Sequence, residues 1–453
     1  MFRCRPILLG SAAAFSLFAA GCGYQYRPVV SAINPVGPAT QPTKYALAIS
    51  APSTTAPGLL TFVDFAGDSV LSTPQVLANP VYLALAPGGG TGYAINGAGS
   101  FNNFPTGSPS TLISSQVGQS TLSAGSQPVS ITSVTMAGTN ASVFVPEPAL
   151  SQVAALTATG SLDQNIGGPN NPIYVVGTSA GRRAYVISEG DGATPSTVSS
   201  LESGNLAVSA TIPVGINPTY GVMTLDGNRA FILNTGSGTV NVINVVNNGP
   251  DLANPVIPAT GTLGLHPVWA DLSTLTNQLV VLNQGDGTHP GSLSIINIPL
   301  CSLASPAGNP QCNPANPVDA VGFGQVLATV PVGINPVMVS VLQDGTKAYV
   351  ANQGNAAAGI EGSVSVVNLV SGQVSATIPA ISTASATADT NTTPGAAYGH
   401  PTTIAATTGT PTGKVYITSS DNKFMTVIET DTDVVDTHVN LQGLGVRVVV
   451  TTQ

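Results

Sequence analysis

Seven polar residues stand immediately before prolines distributed along the chain: Asn79, Gln127, Asn171, Asn217, His266, Asn335 and His400. A second set, Glu147, Glu189, Asp191, Asp286, His289 and Asp421, follows apolar runs between them. An imidazole titrates near neutrality and ligates metals. His266 and His400, with Asp286 or Glu189, therefore have the chemistry to hold a metal ion or to act as acid and base toward a sugar or lactone. Local chemistry competes with that reading. A side chain before proline in a turn satisfies nearby backbone groups, and Asn, which suits that role, fills four of the seven positions. A zinc-like ion needs three or four convergent ligands at about 2 Å, and the two histidines belong to repeats two places apart. No residue is assigned as catalytic. The H-E-x-x-H, P-loop and C-x-x-C-H signatures are absent.

The elements that position these residues follow from internal repetition. TIPVGINPTYGVMTLDGNRAFILNTGSGTVNVINV from Thr211 is answered by TVPVGINPVMVSVLQDGTKAYVANQG from Thr329, which continues as GSVSVVNL. Weaker copies share the grammar of an opening proline, a Gly-containing turn, a strand ending in Asn or Ser, a loop and an alternating strand. The opening prolines are Pro80, Pro128, Pro172, Pro218, Pro267, Pro336 and Pro401, with Val446 assigned the equivalent place in a final partial copy. Spacings cluster near 45 residues and stretch to 69 and 65 after Pro267 and Pro336. Asp226-Gly227 and Asp344-Gly345 offer the positive φ angles of tight hairpins. Segments such as Ala230–Asn234 and Val240–Asn244 supply further strands, and Ser209–Val214 an outer one.

A four-stranded sheet of this size cannot bury both faces alone, so the copies must stack, and radial stacking leaves few open edges. The expected fold is all-β, a β-propeller of four-stranded antiparallel blades. Counting first strands gives eight blades; seven stays open, depending on the weak copy at 128–163. The chain ends with a lone first strand, Gly445–Thr451, and begins at Tyr45–Ser50 and Leu59–Phe65, which read as second and third strands. Those ends should share one blade and close the ring. In propellers generally, the loops entering the innermost strand and those after the second strand ring one mouth of the channel, which groups the thirteen polar residues above as a candidate binding site. Asp64, Asn244, Asn297, Asn368 and Glu429 end third strands and read as turn caps. Trp269, the only tryptophan, reads as packing on an inner strand rather than as a sugar platform. Variable contacts are expected from insertions after residues 98, 299 and 380, and Ile381–Tyr398 reads as a solvated excursion.

Composition agrees with an all-β chain, because 50 Gly and 36 Pro among 453 residues disfavour long helices. With Arg3 and Arg5 set aside, 9 basic against 20 acidic residues remain, a net charge of −11. Phosphate backbones would be repelled, so nucleic acid is excluded as a partner. Arg3 and Arg5, an apolar stretch Ile7–Ala20 and Ala19-Ala20-Gly21-Cys22 read as an export signal. It resembles a bacterial lipoprotein signal, which implies residues 1–21 as signal peptide, Cys22 as the lipidation site and a location in the cell envelope, periplasmic or surface-exposed. Residues 22–44 are Pro-rich and read as a tether, and 45–453 as a single domain, expected to be monomeric. Cys4 falls in the signal, leaving Cys301 and Cys312 to pair as a disulfide in an oxidising compartment, a staple on an insertion that contributes roughly 3 kcal/mol at most.

The repeats resemble the YVTN β-propeller family, with I-P-V-G-x-x-P, a D-G turn, Y-V-x-N-x-G and V-x-V-I-D, at Ile212–Asn244 and Val330–Asn368 and in degraded form over 45–453. The resemblance implies the propeller fold. It also implies functions ranging from surface proteins to relatives of lactonase propellers, which hold a divalent ion by carboxylates and Asn from several blades. Glu147, Asn234, Asn283, Asn352 and Asp421 are the conceivable members here. No organic cofactor is expected. The leading reading is a lipid-anchored scaffold or binding module for a protein or glycan. A lactonase-like hydrolase with a metal at the mouth, and a structural envelope protein, are the alternatives.

Overall fold

The computed structural model describes residues 44–451 apart from 253, 259–262, 274, 299–321, 383–394 and 408–411. The signal segment, Cys22, most of the tether, and Cys301 and Cys312 lie outside the described residues. Within them the chain forms eight antiparallel sheets of four main strands each, here called blades 1 to 8 with strands a to d from the channel outward. Blade 2 runs Pro80–Leu85, Thr91–Asn96, Ser100–Pro105 and Gly118–Thr121. Blades 4 to 8 open at Pro172–Val176, Pro218–Met223, Pro267–Ser273, Pro336–Val341 and Pro401–Thr407.

Blade 1 joins the two ends of the described chain. Its strand a is Leu444–Val450, and its strands b and c are Tyr45–Ala51 and Pro57–Asp64. Gly445 pairs with Ser50 beside a register shift, as Pro218 pairs with Asn234 and Pro336 with Asn352 beside theirs. Gly445, not Val446, therefore occupies the opening position, and every later residue of that strand moves by one in the alignment. Blade 3, the weak copy, is a true blade, although its strand a is reduced to Thr132–Ser133. Hydroxyls of Ser130 and Thr132 bond the Ile173 and Val175 carbonyls of blade 4, each at 2.7 Å, tying this segment to the next blade. In blade 2 the excursion leaves between strands c and d, after residue 105 rather than 98, as two short 3-10 turns at Pro109–Thr111 and Ser114–Gln116. Residues 299–321 and 383–394 of the other two excursions lie outside the described residues.

Strand alternation explains why the blades need one another. In strand b of blade 7, Tyr349 and Ala351 join a cluster shared with blade 8, while Ala348 and Val350 join one shared with blade 6. Side chains two apart share a face. Among the described residues there are eight such clusters, one between each pair of successive blades, blades 8 and 1 included. The apolar surface is thus buried between sheets around a ring.

In blades 5 and 7 the amide ending strand b ties the repeat to the blade before it. The Asn234 side-chain oxygen accepts the Gly215 N–H, and that of Asn352 accepts the Gly333 N–H, both at 3.0 Å. A Cβ on Gly215 or Gly333 would lie 2.7 or 2.5 Å from the amide carbon. The recurrent V-G-I-N-P is therefore the approach path of one blade's backbone to the next blade's buried amide.

Candidate binding site in the mouth and channel

Turn geometry accounts for most of the residue types found before the opening prolines. Asn79, Asn171, Asn217, His266 and Asn335 adopt φ between 47° and 58°. This left-handed conformation is one that Asn tolerates better than most residues. Their carbonyls accept the N–H of the residue after strand b, at 2.9 to 3.1 Å, in Gly97, Glu189, Thr235, Gln284 and Gln353. Gln127 is exposed and departs from this pattern. In blade 8, Gly399 takes the positive φ instead, and His400 is buried.

Side chains at the mouth bond one another. Asn171 donates to Glu189 at 3.1 Å, and Gln284 of blade 6 donates to Asn335 of blade 7 at 2.6 Å. Asn335 donates in turn to Gln353 at 2.9 Å. His400 Nδ1 donates to Asp421 Oδ2 at 2.6 Å, while Asp421 Oδ1 accepts the His400 N–H. His266 is exposed and its Nδ1 donates to the Gly285 carbonyl at 2.8 Å. The two histidines thus engage different partners in different blades.

The second-loop acids divide by role. The Asp286 carboxylate accepts the N–H groups of His289 and Thr288, which hold it far below the usual carboxylate range, with the His289 ring adding a further bond. Asp191 is lowered in the same way by the Thr194 and Ala193 N–H groups. Both are turn-forming acids on exposed loops. Glu147 is fully buried, so it is not presented at the mouth; it occupies the place of the strand-ending Asn and is bonded by Gln152. Asp64, Asn244 and Asn368 cap their turns as expected.

Most of the residues that the lactonase resemblance brings forward are engaged by protein partners. The Asn234 and Asn352 oxygens already accept backbone N–H groups, whereas the Asn283 nitrogen donates to Ser292 and Ser294 and its oxygen is buried without a hydrogen-bond partner. Asp421 is committed to His400. Among the described residues no three His, Cys, Asp or Glu side chains converge. A G-x-S-x-G match, Gly177–Gly181, lies in the hairpin between strands a and b of blade 4. A nucleophile elbow needs a strand entering a helix, and here the chain returns as a strand.

The channel holds what sequence reasoning missed. Two places after six of the eight opening residues stand large side chains, Tyr82, Tyr174, Tyr220, Trp269, Met338 and Arg447, with Ser130 and Thr403 at the other two. Successive rings pack, Tyr174 on Tyr220 with centroids 4.8 Å apart, and Tyr220 on Trp269 at 3.9 Å and 16°. Trp269 therefore packs, as expected, but it also lines a cavity. Two cavities of about 410 and 290 Å3 share Tyr220, Val222 and Asp271. Burial raises the Tyr174 and Tyr220 hydroxyls above their ordinary range. Burial also pushes Asp271 up to about 6, against the Val341 and Leu272 N–H groups that its carboxylate accepts at 2.8 Å. The recurring P-x-[Tyr/Trp/Met] carries this collar in the sequence, and the one-residue misplacement of Gly445 hid Arg447 from it.

Fold and site together define a β-propeller with a polar mouth over an aromatic channel. No family model and no curated protein matches the chain. Solved structures are similar: apo AztD from Citrobacter koseri, with TM-score 0.58 at 13% identity over 90% of this chain and 98% of that one. A second structure of Citrobacter koseri AztD gives 0.57 at 12% over 90% and 97%. The dihydro-heme d1 dehydrogenase NirN in complex with DHE gives 0.61 at 11% over 90% and 76%. At such identities the likeness is one of fold.

Proposed function

We propose that this chain is a YVTN-type binding module of the cell envelope, lipidated at Cys22, whose propeller mouth engages a protein or glycan partner. The observation that supports it best is the fixing of mouth side chains before any partner arrives. Gln284, Asn335 and Gln353 form a bonded chain across blades 6 and 7, and Asn355 of blade 7 donates to the Gly287 carbonyl of blade 6 at 3.2 Å. Such side chains have little rotamer freedom left to lose, which favours recognition by a rigid polar surface. The acidic chain and its lack of basic clusters weigh against nucleic acid. The test is surface plasmon resonance of the mature chain against purified envelope polysaccharides and envelope proteins. Binding by the wild type, weakened about tenfold or more in the N335A/Q353A variant, is expected; no binding to either pool removes the proposal. The lactonase-like reading retains one observation, the His400–Asp421 pair, and lactone hydrolysis lost in His400→Ala would favour it.

A further inference from the structure

Four basic side chains of the blades, Arg183, Arg229, Lys347 and Lys414, each pair with a carboxylate. Arg447 does not. It lies on strand a of blade 1, and its guanidinium carbon sits 4.0 Å from the ring centroid of Tyr82 in blade 2 and 5.5 Å from that of Trp269 in blade 6. Blade 6 is three places from blade 1 in a ring of eight, so the side chain reaches across the channel. Its Nε is buried with no hydrogen-bond partner. Aromatic faces attract the cation but satisfy none of its five N–H donors.

The smaller cavity, about 290 Å3, is lined by Arg447, Trp269, Tyr220, Met338 and Asp271. That volume is near the lower end of small-molecule sites, roughly 300–1,000 Å3, and suits one ring rather than a polymer. The half-buried state of Arg447, Trp269 and Tyr220 leaves it open to solvent. We propose that the channel binds a small molecule carrying one carboxylate on a ring with an apolar face, with the carboxylate on Arg447 and the ring against the Tyr220–Trp269 pair. The planar guanidinium presents a fork that matches a carboxylate, and the aromatic faces accept the apolar face of a sugar or an aromatic ring. Asp271, in the same cavity, disfavours a second negative charge on the ligand. This site lies beneath the mouth, and its occupancy does not depend on the partner proposed above.

Calorimetric titration of the mature chain with glucuronate, 4-hydroxybenzoate and acetate tests the proposal, the first two probes distinguishing a saturated from an aromatic ring. At least one ring acid should bind, with acetate weaker by about tenfold because it lacks the stacking face. Arg447→Gln should weaken binding about tenfold or more through loss of the charge-assisted fork, and Asp271→Asn should strengthen it. Thermal melting establishes that each variant is folded; where R447Q is not, the gain in D271N decides. Binding of neither ring acid, equal binding by R447Q, acetate as tight as the ring acids, or no gain in D271N overturns the proposal.

Discussion

Asp271 shows how a single residue's surroundings set its chemistry. Its carboxylate accepts two backbone N–H groups yet titrates near 6, because burial outweighs them. The folded state holds that proton up to about pH 6, whereas the unfolded chain releases it near ~4. Between those values the folded state binds more protons, so the Asp271 contribution to stability falls as pH rises through this window and is constant above it. The stability difference between Asp271→Asn and wild type should therefore shift in favour of the variant from pH 4 to pH 6 and stay level beyond 7. Urea denaturation across that range reads it, and a difference independent of pH would show the carboxyl to be ordinary. The mouth asparagines make the complementary point. Their types follow from a left-handed backbone rather than from a ligand, so their presence in the sequence says more about turns than about binding.

Between elements, the recurring device is a latch from the start of one blade's strand b to the c–d turn of the next blade. Lys347 and the Tyr349 hydroxyl of blade 7 both bond Asp433 of blade 8, at 2.8 and 2.6 Å. Arg183 of blade 4 bonds the Val245 carbonyl of blade 5 at 2.7 Å. Where the ring closes, Lys414 of blade 8 pairs with Asp68 of blade 1, both nearly buried, with Asp436 3.7 Å from the ammonium. Burial still raises Asp68 to about 6, the Lys414 charge notwithstanding. Lys414→Met leaves that carboxylate without its cation and should cost about 3–5 kcal/mol. Asp68→Asn should cost less, because its charge is already disfavoured. Chemical denaturation of the two variants measures both, and equal losses would mean that the pair acts through packing alone. Little of this was legible beforehand, since partners 86 and 346 residues apart leave no local signature.

For the whole molecule, closure rests on one strand. Leu444–Val450 supplies strand a of blade 1, and Val448 belongs to the apolar cluster shared by blades 8 and 1. Truncation after Gly443 should lower the melting temperature by more than about 10 °C and expose the edge of Tyr45–Ala51. A synthetic peptide of residues 444–451 should restore part of the loss, and an unchanged melt by differential scanning calorimetry would deny that closure matters. The repeat, its D-G hairpins, the strand alternation and the sharing of a blade by the two ends were all readable from residue order, because each arises from local turn chemistry and a period-two apolar pattern. The opening position of the last copy was misread by one residue, because Gly445 lacks the proline that marks the others and only pairing with Ser50 reveals it. The channel collar, the latches and the placement of Arg447 against Tyr82 and Trp269 were decided by tertiary structure. Each brings together residues from different blades, and burial and charge balance at such places depend on which blades face one another around the ring.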